Sequence, residues 1–470
     1  MSLQQASATR QHDELSHAVF VPPVDHASAK APDEYAAAQK FLIEHDIRAV
    51  DCMVVDTWGI PRGKRLPVAA FLEERGMSIG KAIYSSEVDA FLGDSPWIGV
   101  SSGYPDMRAV PDLQTLRVAG WGDRLATVMC DCVYIESGEA IPLDPRSMVK
   151  RTLQEFDALN YRVDLAAELE FYLYDRNWEL VSQEIGLFNL TGLQDLDEIL
   201  SPIVESLLAT GIKVESSSAE YSPGHIEITQ RYDEALAALD KTILFKHVVR
   251  QTAHRLGYNV SFMAKPSTAA GGSGMHMHLS LVERGGSNVF GLVDEDHPLG
   301  SSVMRRFASG LLHHQLDLQA VTHPTINEYK RSTDYSFAPN RVTWGIDNRS
   351  AGVRCLPRIG SASRLEVRWA SAAAHPYLLA QGYLQAGLSG LRNEFPLIDQ
   401  CVSDAYADSR WERIADQPED AIARFEASPF TQEVYGPDFV ETFCAMQRKE
   451  LQRFTEHVTD WEIARYRGRL

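Results

Sequence analysis

The 470-residue chain is predicted to fold as an α+β protein. Three observations lead there. Long amphipathic helical patterns at 147–159, 231–256, 301–319, 372–392 and 436–456 are interleaved with short strand patterns. Those strands carry charged residues on one face between apolar neighbours, an arrangement that a solvated edge strand does not need. A turn-rich stretch, Ser137-Gly138-Glu139-Ala140-Ile141-Pro142-Leu143-Asp144-Pro145, separates a small first region from a larger second one.

In chain order, residues 1–30 read as a polar tail containing Ala, Ser and His, expected to be mobile. Residues 33–46 read as a helix, 49–56 as a buried strand, 57–64 as a glycine turn and 127–135 as a further strand. The first domain is expected over 31–140 and the second over 141–470, opening with a helix near Ser147. No internal repeat or low-complexity tract is present, and 400–435 carries no readable motif.

Composition narrows the function. Forty-five basic against 64 acidic residues give a formal charge of -19, which argues against a nucleic-acid or anionic-membrane surface. Small molecules and metal ions are the expected partners. No apolar run approaches the roughly 20 residues a membrane-spanning helix needs, and the start lacks a basic segment followed by an apolar one. The six cysteines show no Cys-x-x-Cys spacing, so a reducing cytoplasm is the expected location.

The most informative segment is Gly272-Ser273-Gly274-Met275-His276-Met277-His278-Leu279-Ser280. Histidines two apart on a strand share a face, and a glycine-loosened turn delivers both imidazoles to one place. Upstream, Glu168 and Glu170 share a strand face between apolar flanks, and buried carboxylates need partners. Glu220 and Glu227 bracket the turn Tyr221-Ser222-Pro223-Gly224, and alternation puts Arg364, Glu366 and Arg368 on one face. Five carboxylates with an imidazole form a hard-cation set, suited to Mg²⁺ or Mn²⁺ rather than Zn²⁺.

In order and spacing these motifs resemble the glutamine synthetase family over nearly the whole chain. They run from an Asp-x-x-Gly-x-x-Arg-Gly-Lys turn (Asp56 to Lys64) through Glu-x-Glu-Phe, Glu…Pro-Gly-x-x-Glu, Gly-Ser-Gly-Met-His-x-His, Tyr-Lys-Arg and Asn-Arg-Ser-Ala-x-x-Arg to Arg-x-Glu-x-Arg. The resemblance implies an N-terminal β-grasp domain and a catalytic α/β domain whose antiparallel strands form an active-site funnel. It implies two or three divalent ions per site and ATP as phosphoryl donor. Glu168, His276 and Glu366 match the ligands of the metal near the nucleotide; Glu170, Glu220 and Glu227 match those near the acyl acceptor. Arg354 and Arg368 match catalytic positions together with Asp56. Glu170, Gly272, Arg331, Arg349 and Arg368 match the glutamate site, and His278, Ser280, Arg354 and Arg364 the nucleotide site. It further implies a ring-type homo-oligomer, a dodecamer, with active sites between subunits.

One departure redirects the expectation. Ammonia-using members carry a flap glutamate just before an Ala-Pro pair, and here Asp334-Tyr335-Ser336-Phe337-Ala338-Pro339 puts Phe337 at that position. A benzyl group cannot take a proton from ammonium. Gly271 and His225 also replace a usual asparagine and glutamine. The expected activity is therefore that of the γ-glutamyl-amide (glutamate–amine) ligase branch, with Asp56, Trp58, Tyr335 and Phe337 around a hydrophobic or aromatic amine. Ammonia-dependent glutamine synthetase and an inactive nucleotide-binding scaffold are the competing readings.

Overall fold

The computed structural model describes residues 32–89, 95, 97–184, 186–291, 299–358 and 360–470; the tail expected at 1–30 lies outside them. The near-continuous apolar run Ala49–Val55 (β1) is an inner strand of a first, six-stranded sheet. It pairs antiparallel with β2 (Pro61–Pro67) and parallel with β6 (Leu125–Val133). β3 (Met77–Gly80), β4 (Asp106–Pro111) and β5 (Arg117–Val118) complete the sheet, in the order β2-β1-β6-β4-β3 with β5 on β6. The glycine turn is shorter than expected. Only 57–60 turn, and Pro61 onward already pairs with Val55 as a hairpin partner.

A second sheet of nine strands carries the charged motifs. β7 (Tyr161–Tyr174), β8 (Val214–Ala219), β9 (His225–Gln230), β12 (Met275–Glu283), β13 (Trp344–Ile346), β14 (Val353–Leu356) and β15 (Arg364–Val367) run in the order β13-β14-β15-β12-β7-β9-β8. β10 (Asp233–Glu234) and β11 (Asn259–Ser261) also pair with β7. The period of two is visible in β7: Val163, Leu165, Ala167, Leu169 and Phe171 are buried in the core, leaving Glu168 and Glu170 on the opposite face.

The six predicted helices form with shifted ends: Pro32–Glu44, Pro145–Ala158, Ala235–Leu256, Ser302–His314, Pro376–Asn393 and Pro437–Glu456. The 231–256 pattern starts late because Asp233 and Glu234 are held against β7 as a strand. The 301–319 pattern breaks after His314 and resumes as Gln319–Thr322. The sequence reading missed the helices Asp197–Ala209, Pro418–Ala427, Pro429–Tyr435 and Asp460–Tyr466.

One buried arginine knots the two sheets' surroundings together. Arg146 donates to Asp240 at 3.0 and 2.9 Å, to Asp112 at 2.9 Å and to Asp131 at 2.5 Å. Close by in the fold, His375 Nε2 lies 3.0 Å from the Asp56 carbonyl oxygen, fixing the Asp56 turn to the start of the helix Pro376–Asn393.

Candidate active site

Strand register assembles the site from distant sequence. His276 stands opposite Glu168, His278 opposite Glu366, Arg354 opposite Glu366 and Glu227 opposite Glu170. The side chains therefore meet on the face of the second sheet that turns away from the core. His276 Nδ1 is 3.2 Å from Glu168 and 3.5 Å from Glu366, and His278 Nε2 is 2.8 Å from Glu168.

Two triads have donor atoms all within 4.8 Å of one another: Glu168, Glu227 and His276, and Glu168, His278 and Glu366. They overlap the expected sets, and the expected Glu168, His276 and Glu366 also stand together around the His276 ring. His278 adds a second imidazole beside Glu168 and Glu366. Glu170 and Glu220 are in neither triad; the Glu170 carboxylate accepts the Gly274 N–H at 2.8 Å and lies 3.4 Å from His225 Nε2. His225 is itself buried and stacked on Tyr172 at 4.3 Å.

The electrostatics of the carboxylates favour a cation among them. Burial, with the charges of Glu168, Glu170 and Glu220, pushes the Glu227 carboxyl up to about 9, and burial with Glu170 pushes Glu220 up to about 7. Burial acts the same way on Glu366, but Arg368 and the two imidazoles outweigh it and bring it down to about 2. Carboxylates crowded to the point of holding protons, with imidazole beside them, are the donor set a hard divalent cation takes.

Around the carboxylates stand the arginines. Arg354 donates to Glu366 at 2.7 Å and to Asp347 at 2.5 Å, and Arg368 pairs with the other Glu366 oxygen. Arg331 is buried, with Nη1 donating to the Trp369 carbonyl at 3.0 Å. The Nε groups of Arg331 and Arg368 are buried and have no acceptor among the described residues, which suits anionic oxygens of a ligand. Gly272 has its own reason to be glycine: a Cβ there would fall 2.5 Å from Arg331 Cγ.

Two clefts flank this centre. One of about 660 Å³ is lined by Glu168, His278, Ser280 and Arg364, with Arg364 Nε donating to His278 Nδ1 at 3.1 Å. It gathers three of the four residues expected on the nucleotide; Arg354 sits instead between Glu366 and Asp347. The other, of about 680 Å³, holds Tyr335, Phe337 and Arg349. Both flap aromatics are exposed, at 69% and 66%, and have left-handed backbones, with φ of 61° and 57°.

Asp56 and Trp58 line neither cleft. The Asp56 carboxylate is fully buried, accepting from the Trp58 and Ile60 N–H groups at 2.9 Å and from Arg62 at 2.8 Å. One chain thus brings Tyr335 and Phe337 together but not Asp56 and Trp58. The sequence reading also missed Asp347, which pairs with Arg354, and Tyr406, which borders the second cleft. Asp347 directly precedes the Asn348-Arg349-Ser350 motif, a neighbourhood that would have flagged it; Tyr406 has no such signal.

Comparison with known proteins agrees with this geometry. Residues 142–466 match the family described as glutamine synthetase, catalytic domain. A glutamate–isopropylamine ligase of a Pseudomonas species is 31% identical over 443 residues, covering 91% of this chain and 96% of that protein. A glutamine synthetase of Thermotoga maritima is also 31% identical, covering 91% and 98%. A solved GmaS complex with ADP superposes with a TM-score of 0.81 at 26% identity, covering 92% of this chain and 99% of that one. The chain belongs to the glutamine synthetase family and is an ATP-dependent carbon–nitrogen ligase. Its catalytic portion has that family's mixed α/β fold, and no helix among the described residues is long and apolar enough to cross a membrane.

Proposed function

We propose that this ligase uses ATP to phosphorylate the γ-carboxylate of glutamate and condenses the acyl phosphate with an organic amine bearing a hydrophobic or aromatic group. The product is a γ-glutamyl amide. The observation that carries the reading is Phe337, set on a left-handed backbone in an open cleft where ammonia-using relatives are expected to place a glutamate. The name of the Pseudomonas relative supports it. Ammonia as acceptor is the second reading, favoured by the equal identity to a glutamine synthetase.

In the first step a glutamate γ-oxygen bonds to the terminal phosphorus of ATP and ADP leaves. In the second the amine nitrogen attacks the acyl carbon, phosphate departs and the nitrogen loses a proton. Glu168, Glu227, His276, His278 and Glu366, with Glu220 and Glu170 beside them, would hold two or three Mg²⁺ or Mn²⁺ ions. Bound there, these would screen the repulsion between carboxylate and polyphosphate and stabilise the transferring charge. Arg331, Arg349 and Arg368 hold the glutamate, with Gly272 giving Arg331 its room. His278, Ser280, Arg354 and Arg364 hold the nucleotide phosphates through planar donor forks and short polar contacts.

An amine whose lone pair is delocalised into a ring is neutral before it attacks, so it has least need of the flap carboxylate that Phe337 replaces. Phe337 and Tyr335 offer that ring an aromatic surface.

The six-stranded sheet is the family's β-grasp domain in this reading, over 31–140, with 141–470 forming the catalytic funnel of a cytoplasmic ring, a dodecamer. Asp56 and Trp58 then complete the acceptor pocket of a neighbouring subunit. Mixed oligomers of Asp56→Ala and Glu366→Ala subunits should recover activity; an active monomer would exclude this arrangement. The primary test offers ATP, Mg²⁺, glutamate and a panel of ammonia, alkylamines, ethanolamine, polyamines and anilines, with the amide detected by mass. A product with a hydrophobic or aromatic amine and little with ammonia is expected. Equal turnover with ammonia would overturn the reading.

A further inference from the structure

The flap cleft has a second wall, formed by residues 400–406. Val402 is 82% exposed there, and Tyr406 packs its ring against Tyr335 with centroids 5.5 Å apart. Val402 is a large apolar side chain held at the rim of the cleft that contains Phe337, so it lies open to whatever enters.

This wall is fastened to the active site and is not an incidental loop. Asn348 Nδ2 donates to the carbonyls of Cys401 at 3.0 Å and Ser403 at 2.8 Å. Ser350 Oγ donates to Asn348 Oδ1 at 2.7 Å and accepts the Ala405 N–H at 3.0 Å. The Asn and Ser of the Asn348-Arg349-Ser350 motif therefore anchor the wall, while Arg349 between them lines the cleft. A further constraint is Gly345, where a Cβ would sit 2.6 Å from the Cys401 carbonyl oxygen, so any side chain would push the wall away.

Tyr406 joins the two halves of the reaction. It is 7% exposed, yet its hydroxyl has no hydrogen-bond partner among the described residues. That hydroxyl lies within electrostatic reach of Arg331 and Arg368, whose Nε groups are buried and equally without acceptors. A buried hydroxyl left unmatched is costly unless a ligand completes it. The phenol thus stands between the arginines that receive the acid and the cleft that holds the flap aromatics.

Resting on the ligase reading above, we infer that residues 400–406 form the specificity wall of the acceptor pocket. Val402 and Tyr406 select amines by the bulk and apolar character of their organic group. The ring of Tyr406 bounds the pocket on the side of the reacting carbon, and Val402 bounds it toward solvent. Amines with a ring or branched alkyl body bury that body between this wall and Phe337; ammonia and hydroxylamine are too small to touch it.

The test measures kcat and KM for hydroxylamine, a small neutral nucleophile, and for the best organic amine of the panel, in the wild-type chain and three variants. Val402→Trp, at an exposed position that does not support the fold, should raise the KM of the organic amine about tenfold and leave that of hydroxylamine unchanged. Tyr406→Ala should lose discrimination between bulky and small amines, and Tyr406→Phe, which keeps the ring, should restore it. If organic amides form but Val402→Trp and Tyr406→Ala keep wild-type KM ratios, the wall is wrong and the ligase reading stands. If no nucleophile, hydroxylamine included, yields a γ-glutamyl product, both fall.

Discussion

The charged face of the second sheet and the flap cleft beside it are built on different principles. On the sheet, Glu168, His276 and Glu366 take their places from strand register, are backed by buried apolar neighbours and meet where the His276 ring lies within 3.5 Å of both carboxylates. In the cleft, Tyr335 and Phe337 come from a turn with left-handed residues and are two-thirds exposed. Strand register holds catalytic groups rigidly; loops are where side chains can change without disturbing the scaffold. In the function proposed above, the chemistry is thus placed where it cannot drift, and the choice of amine where it can.

The sharpest way to break that contrast is Glu366→Gln. Glu366 is fully buried between Arg354 and Arg368, so the variant should lose turnover by about a thousandfold and stability by about 3 kcal/mol, read by initial rates and thermal unfolding. A stable, active variant would mean that the sheet face is not the catalytic centre.

Glu227 tests the same face through pH. Its carboxyl, normally near 4.5, is pushed up to about 9 by burial and neighbouring carboxylates. Between those values the folded, metal-free chain binds more protons than the unfolded one, so its stability should fall as pH rises through the window. Glu227→Gln should flatten that slope and weaken Mg²⁺ binding at least about tenfold, measured by urea midpoints from pH 5 to 9 and by calorimetry. An unchanged slope would remove Glu227 from the cluster's charge balance.

On the loop side the effects should be on preference. Phe337→Glu should raise ammonia use relative to the organic amine by about tenfold, and an unaltered ratio would put Phe337 out of reach of the acceptor. The smallest effect is expected from Tyr335→Ala: stability within about 0.5 kcal/mol of wild type, with a modestly higher amine KM in the same assay.

The same contrast explains what the sequence made legible. The residues of β7, β12 and β15 were readable because period-two alternation and buried charge leave a pattern in one dimension. That Glu170 would accept the Gly274 N–H and lie beside His225 was not readable, because it depends on a loop folding back. The wall at 400–406 carries no pattern, since it is held through backbone carbonyls and an N–H that almost any residue supplies. The unread helices Pro418–Ala427 and Pro429–Tyr435 did carry a signal, proline at the first helical position. Asp56 was legible as a residue but not as a neighbour, since its own turn satisfies its carboxylate.

The Arg146 knot bears on how far such enzymes can be recombined. Asp112 and Asp131 lie before the turn-rich stretch at 137–145, Arg146 and Asp240 after it. A chimaera joined at that natural-looking seam, with its front portion taken from a relative lacking the aspartates, would leave a buried guanidinium short of counter-charge, a defect of about 3–5 kcal/mol. Portions that look like interchangeable modules are coupled by one side chain, and a working graft must carry all four residues or none.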